Sequence, residues 1–420
     1  MPNVRKPPPY AEWVLLAALA SLAVLARRAG WFIKTNDTTI FMQWVDQMRA
    51  AGGWRGIGQQ IGNYNAPFLY LLAAVIYLPG SLLVKIKAIF VLFDVLLAYF
   101  TYQIVGLRFE GRRAPAAAGL AMLLLPTVVI NASWYGQMDA MWASFALGGV
   151  YFLMRERPWV AVTLCAVSLA IKPQGIFIFP LLLLLALGGR LPWRTLLTVP
   201  AVFAVLDVPA LLAGRSPMDL LTVYDMGRQA VHVEGLTLRA PSVYAFIEAG
   251  RRAETVRVLG YIFTAALILG ILYVLIIRNV QITRDRLVTY AALFAIAMPF
   301  LLPGMHERYF FLADVTTVLL AIHKPRLWPV PLLVQAASLI SLEPFLFGGR
   351  TPQMLPLTVP ATLMLAALVT VLHHVLKDAL DLESTQHLES TEIPDTPEEL
   401  EDEISRPGGE RLAPLPARRA

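Results

Sequence analysis

Apolar runs of about 17–22 residues recur from Tyr10 to Leu376, the length a bilayer asks of a helix. They are continuous rather than alternating, which predicts helices and argues against the strands of a membrane barrel. Twelve runs read as spans: 10–26, 86–106, 115–131, 138–154, 158–172, 174–188, 192–213, 257–278, 286–303, 308–323, 327–344 and 354–376. Another run, 67–84, is interrupted near its end by Pro79-Gly80 and is read as a re-entrant or interfacial helix. The expected fold is all-α, a polytopic transmembrane helical bundle of about 12 spans plus that one helix.

The first run follows Arg5-Lys6-Pro-Pro-Pro and resembles a signal peptide only superficially. Its apolar core is too long, and Arg27-Arg28 stands where a small-residue cleavage site belongs.

Composition agrees with the pattern. Apolar residues make up 57% of the 420 residues and charged ones 15%, too few for the surface of a soluble chain of this length. The single cysteine, Cys165, lies in an apolar run, so neither a disulfide framework nor a Cys-based metal site is available. The net charge of +6 is not a nucleic-acid signal, because its Arg and Lys lie mostly in short loops beside the spans.

Those loops predict orientation. Arg108, Arg112 and Arg113; Arg155 and Arg157; Arg190 and Arg194; Arg278, Arg284 and Arg286; and Lys324 and Arg326 alternate with loops poorer in charge. The positive-inside rule places these five in the cytoplasm. Segments near 132–138, 172–174, 214–256, 303–307 and 345–353 then lie outside, as does 30–66 if Arg5 and Lys6 are inside. Parity allows one crossing between 66 and 107. If 67–84 also spans, the N-terminus flips, and Arg27, Arg28 and Lys34 permit that. The transmembrane domain is 1–377, with external loops 30–66 and 214–256. From Asp378 onward, 12 acidic and 4 basic residues give −8, which predicts a disordered cytoplasmic tail over 378–420. There is no internal repeat, Walker-type loop or GxGxxG.

Polarity breaks the apolar background in four places, all on the predicted external side. Thr35 to Arg49 reads as a helix capped by Asn36 or Asp37, with Trp44 two turns beyond Asp37. On this pattern alone Asp37 serves equally well as a plain cap. Gly62 to Tyr70 reads as a loop-to-helix junction, with Asn63, Tyr64 and Asn65 before Pro67. Ser133 to Trp142 contains Gln137 and Asp139 at a span entrance, where a carboxylate is costly unless paired or wet. Lys172 and Gln174 lie in the next external turn; snorkelling alone would account for Lys172. Leu302 to Tyr309 sets His306, Glu307 and Arg308 after Pro303-Gly304, which predicts a helix from about Met305 and an anion site at its mouth. That triplet is denser than a capping turn needs.

In this order the clusters resemble the GT-C superfamily of integral-membrane glycosyltransferases. The likeness is greatest to bacterial relatives of the GPI second mannosyltransferase, and more distant to the eukaryotic dolichyl-phosphate-glucose-dependent glucosyltransferases. Asp37 with Trp44 is similar to the acidic motif of their first external loop. Asn63-Tyr64-Asn65-Ala66-Pro67 is similar to their Tyr-Pro-Pro segment, departing at Asn65-Ala66. Gly136-Gln137-Met138-Asp139, Lys172-Pro173-Gln174 and His306-Glu307-Arg308-Tyr309 are similar to three further motifs. The resemblance covers roughly 10–325.

It implies inverting transfer of a hexose, mannose or glucose, from a polyprenyl-phosphate-sugar donor to a hydroxyl of a lipid-linked or glycan acceptor. Transfer would occur on the external face of a bacterial inner membrane. Asp37 would be the base. Trp44, Tyr64, Asn65, Gln137, Asp139, Lys172, Gln174, His306, Glu307, Arg308 and Tyr309 would bind substrate. His306 and Arg308, with Lys172 as a further candidate, would stabilise the leaving phosphate without a metal or other cofactor. Membrane lipids are expected partners and nucleic acid is not. Two other classes stay open: a flippase or transporter of lipid-linked sugars, which favours mid-membrane charges and inverted repeats, and a non-catalytic membrane subunit of polysaccharide export.

Overall fold

The computed structural model describes residues 9–225, 235–346 and 354–391. It is mostly helical. The first half contains α1 (Pro9–Gly30), α2 (Asn36–Ala50), α3 (Ala66–Val75), α4 (Leu82–Gly106), α5 (Arg113–Leu124), α6 (Pro126–Val129), α7 (Asp139–Met154), α8 (Pro158–Ile171), α9 (Phe179–Leu187) and α10 (Thr198–Leu212). Then come α11 (Pro217–Leu221), α12 (Ala253–Ile277), α13 (Arg284–Leu301), α14 (Phe311–His323), α15 (Pro329–Leu346) and α16 (Thr358–Thr391). Two short parallel strands, β1 (Thr237–Leu238) and β2 (Met305–His306), pair with each other.

Five helical stretches are long and apolar enough to cross a membrane: Trp13–Gly30, Trp193–Leu212, Gly250–Ile277, Pro325–Leu346 and Thr358–Asp381. A bent pair, Arg113–Leu124 with Pro126–Tyr135, makes up to six. Several expected spans are interrupted or short. The run 115–131 bends by 52° at Pro126, which cannot donate to the helical ladder. The run 174–188 becomes a 3-10 turn followed by the nine-residue α9. The run 67–84 yields α3, ten residues or about 15 Å, half the height of a bilayer core.

Burial explains how short helices are accommodated. From Leu287 to Leu301 every residue of α13 but Met298 is buried, and α7 is nearly as enclosed. Between them α7 and α13 form the centre, packed by α4, α8 and α14. The long apolar helices lie outside and turn residues such as Val205, Leu212, Leu259 and Ile262 outward, as a lipid-facing surface requires.

Two boundaries differ from the sequence expectation. The last helix continues past Asp378 to Thr391, so the first part of the predicted tail is helical; 392–420 lie outside the described residues. No helix begins at Met305. Met305 and His306 are extended against Thr237 and Leu238, and α14 starts at Phe311. The segment 214–256, expected to be external, supplies that pairing strand. Gly304 N–H donates to the Leu236 carbonyl (2.8 Å), Glu307 N–H to that of Leu238 (3.1 Å) and the Tyr244 hydroxyl to that of Leu301 (2.9 Å). Part of this loop therefore covers the 302–307 turn, whereas Arg228, His232 and Glu234 lie outside the described residues.

The five basic loops gather at one end of the bundle. Arg108 pairs with Asp285 (2.7 Å), and Arg284 Nε donates to the Met154 carbonyl (3.2 Å). Arg190 reaches Gln281 (3.2 Å), while Lys324 and Arg286 both approach Asp378. The polar motifs lie at the other ends of α7, α8, α13 and α14.

Candidate active site

At the start of α2 the cap is Thr35, neither Asn36 nor Asp37. Thr35 N–H donates to Thr38 Oγ1 (2.8 Å), and Thr38 N–H donates back to Thr35 Oγ1 (3.3 Å). The cap also donates its hydroxyl to the Tyr135 carbonyl (2.6 Å). Asp37, at the second helical position, is released from capping. Its Oδ2 accepts a hydrogen bond from Gln137 Nε2 and lies 3.4 Å from Arg308 Nη2.

The 131–139 segment is shaped by a wide helical turn over Ile130–Tyr135 that ends on Gly136 at φ +77°. A Cβ there would lie 2.2 Å from Thr38 Cγ2, so glycine is required both for the conformation and for the contact. Lys87 of α4 is fully buried. Its ammonium donates to the carbonyls of Gly30 (2.9 Å), Ile33 (2.7 Å) and Ser133 (2.7 Å), holding the approach to α2 against this turn.

Asp139 opens α7 and is enclosed. Its carboxylate accepts from Asn131 Nδ2 (2.8 Å), Trp142 Nε1 (3.0 Å) and Lys172 Nζ, and lies 4.0 Å from Arg308 Nε. Lys172 leaves α8 in an extended conformation with its ammonium over the rings of Tyr64 (5.6 Å) and Tyr309 (5.9 Å). Arg308 bonds Glu307 (2.9 Å) and stands over the rings of Tyr135 and Tyr309. Glu307 also accepts from the Tyr135 hydroxyl (2.8 Å). His306 lies against Tyr309 at 4.9 Å between centroids, the rings tilted by 37°, with Nδ1 3.8 Å from Glu307.

Three carboxylates thus share two fixed cations. Asp37 has 20% of its side chain exposed, while Asp139 and Glu307 have none. The reachable carboxylate is therefore Asp37. Burial pushes the Glu307 carboxyl above its ordinary range and Asp37 adds to the rise, while Arg308 opposes it. Burial likewise pushes the Tyr64 phenol up. Arg308 Nε and Glu307 Oε2 are buried without a hydrogen-bond partner among the described residues.

Of the motif residues, Asp37, Tyr64, Gln137, Asp139, Lys172, His306, Glu307, Arg308 and Tyr309 come together. Trp44 meets the cluster at Tyr64. It packs edge-on to Tyr64 (5.6 Å) among Phe41 and Phe68, and so acts through Tyr64. Asn65 is fully buried, and neither its Oδ1 nor its Nδ2 has a hydrogen-bond partner among the described residues. Gln174 is buried at the wall of a neighbouring groove of about 220 Å³, with Phe177, Tyr224, Arg257, Tyr261 and His306. That groove runs between the Pro173–Ile178 turn, the outer helix α12 and the 302–309 segment.

Sequence reasoning passed over Asn131, Trp142 and Lys87, which fix the cluster, and Asp207, and it read Tyr135 as an interface anchor, whereas its hydroxyl donates to Glu307. It also treated Arg27 as a flanking charge. Arg27 is buried and forms an ion pair with Asp94 (2.8 Å), joining α1 to α4. Lys87, Asp94 and Asp207 were visible as single charges within apolar runs, the signal that marks a paired or functional group in a membrane.

No protein-family model matches the chain, and no curated protein matches it. Among the described residues no group of three or more His, Cys, Asp or Glu side chains is placed to hold a metal ion.

Proposed function

We propose that this chain is an integral-membrane glycosyltransferase of the GT-C type, moving a hexose from a polyprenyl-phosphate donor to an acceptor hydroxyl. The observation that supports this most is the convergence of Asp37, Gln137, Asp139, Lys172 and Arg308, from four separate segments, around one partly exposed carboxylate. In the reaction, Asp37 takes the acceptor hydroxyl proton as the oxygen attacks the anomeric carbon from the face opposite the phosphate. The bond from that carbon to the phosphate oxygen breaks, configuration inverts, and the electron pair leaves with the lipid phosphate. Arg308 and His306 meet the growing negative charge. Glu307 holds Arg308, and Asp139 holds Lys172.

The groove beside His306 lies along an outer helix, a suitable place for the apolar chain of the donor next to its phosphate. On this reading the shorter apolar helices complete an arrangement of about 12 crossings. The site then faces the external side of a bacterial inner membrane, and the basic end faces the cytoplasm.

Purified protein in proteoliposomes, supplied with polyprenyl-phosphate mannose or glucose and hydroxyl-bearing acceptors, tests the proposal. Donor-dependent transfer that Asp37→Asn abolishes is the expected result. Movement of lipid-linked sugar between leaflets without any transfer would identify a flippase instead.

A further inference from the structure

At the end of the bundle opposite the candidate site, a cavity of about 800 Å³ opens between the Lys324–Leu327 turn and α16. Arg326, His373 and Lys377 are exposed at it, and Lys324 and His374 are partly buried. Two carboxylates, Asp378 and Asp381, also line it. Asp378 is already engaged: its Oδ2 lies 3.1 Å from Lys324 Nζ and 3.7 Å from Arg286 Nε. Lys324 is further fixed by a 2.7 Å contact to His374 Nε2. Three fixed cations (Lys324, Arg326, Lys377) thus line the cavity against two carboxylates (Asp378, Asp381), a surplus of one positive charge before either histidine is protonated, and Arg286 draws further on Asp378 from beside it.

Position decides what this surplus meets. One long apolar stretch begins at Pro325 and another ends at Asp381, and both residues line the cavity. The cavity therefore sits where two candidate spans leave the hydrocarbon, at the depth of lipid head groups. Trp328, 61% exposed and immediately after the turn, is placed as an interfacial anchor. Beyond the cavity α16 continues for ten residues, about 15 Å.

We propose that this cavity binds the phosphate head group of an anionic membrane lipid, with Arg326 and Lys377 as its main ligands. Basic pockets between helices at a membrane surface recognise such head groups by charge, and arginine adds a two-pronged match to phosphate oxygens. Lys324, held by Asp378 and His374, shapes the floor. The proposal is independent of the glycosyl-transfer reading, since the cavity shares no residue with that site.

Native mass spectrometry of the full chain in detergent, offered equal amounts of phosphatidylglycerol and phosphatidylcholine, provides the test. Wild type should retain phosphatidylglycerol several-fold over phosphatidylcholine. The double variant Arg326→Gln/Lys377→Gln should lose that preference while melting as wild type does in phosphatidylcholine vesicles. A control, Arg251→Gln/Arg252→Gln before α12, should keep it. Equal retention of both lipids by wild type, or an unchanged preference in the double variant, would overturn the proposal. Displacement of the lipid by inorganic phosphate would also overturn it, marking the cavity as a site for soluble phosphate.

Discussion

Arg308 Nη2 stands 3.4 Å from Asp37 Oδ2, joining the last polar motif of the chain to the first across 271 positions of sequence. The contact makes one residue serve two charges. Arg308 neutralises the carboxylate that would accept a proton and is the nearest guanidinium to meet a leaving phosphate. Glu307 also holds the guanidinium, 2.9 Å from its Nη1.

The first prediction concerns Asp37. If it is the base, Asp37→Asn should lower kcat by roughly 10²–10⁴-fold, the usual contribution of a positioned base, with little change in melting temperature. The helix cap belongs to Thr35, so the substitution spares it. Single-turnover transfer in proteoliposomes reads the effect. Turnover within a few-fold of wild type would move the proton acceptor elsewhere.

Glu307 makes a pH prediction. Its folded-state carboxyl lies above the ordinary value of 4.5, because burial outweighs the pull of Arg308. The stability it contributes is fully present below that ordinary value and is lost as pH rises through the folded-state value. Glu307→Gln cannot titrate and should remove this component. Melting temperatures in detergent should therefore converge or cross with wild type as pH rises above 4.5. Parallel profiles across that range would show that Glu307 titrates normally.

Much of the candidate site was legible in the sequence as a set of polar positions, and for a simple reason. Gln137, Asp139, Lys172 and the 306–309 run lie at the ends of apolar runs, where polarity contrasts with its surroundings. The rest was hidden by averaging. Lys87 and Asp207 each sit within strongly apolar stretches, so the run reads as a span and the single charge is absorbed. Hydropathy also reports apolar content but not helical breaks, which is why Pro126 divides the run 115–131 and the Pro173–Ile178 turn takes up the start of the run 174–188. The late start of α14 could not be read locally, because Met305 and His306 are extended by pairing with residues 68 positions earlier. Side-chain direction was least accessible. Trp44 has the right spacing from Asp37, yet it packs with Tyr64 instead.

Lys87 should prove essential to the site without touching it. Lys87→Met removes an ammonium that bridges three buried or half-buried carbonyls at 2.7–2.9 Å and withdraws that donor from each. Each such group costs about 1–3 kcal/mol. A marked fall in melting temperature is expected, together with loss of transfer. Met substitution at Lys85, which is half-buried and donates to the single carbonyl of Leu78, should do neither. Equal stability of the two variants would remove the bridging role.

Topology is directly testable. In a Cys165-free background, single cysteines at Asn36, Asp225 and Thr385 report the two ends of the bundle. Asn36 and Asp225 should label from outside intact cells and Thr385 only after permeabilisation. Labelling of Thr385 from outside would reverse the orientation and place the candidate site in the cytoplasm.

The buried pair Lys172 and Asp139 separates a positioning lysine from one that binds phosphate. Lys172 Nζ donates to Asp139, with almost none of either side chain exposed. Removing one member strands the other charge, at a cost of about 3–5 kcal/mol, whereas removing both leaves no uncompensated charge. Lys172→Met and Asp139→Asn should each destabilise strongly, and the double variant should melt well above the value their sum predicts. Donor binding gives the second readout. If Lys172 serves to hold Asp139, the double variant should bind a non-hydrolysable donor analogue within a few-fold of wild type, while Arg308→Ala should bind it far more weakly. If the double variant loses affinity as severely as Arg308→Ala does, the lysine ammonium contacts the phosphate itself, and Asp139 is its counter-ion rather than its purpose.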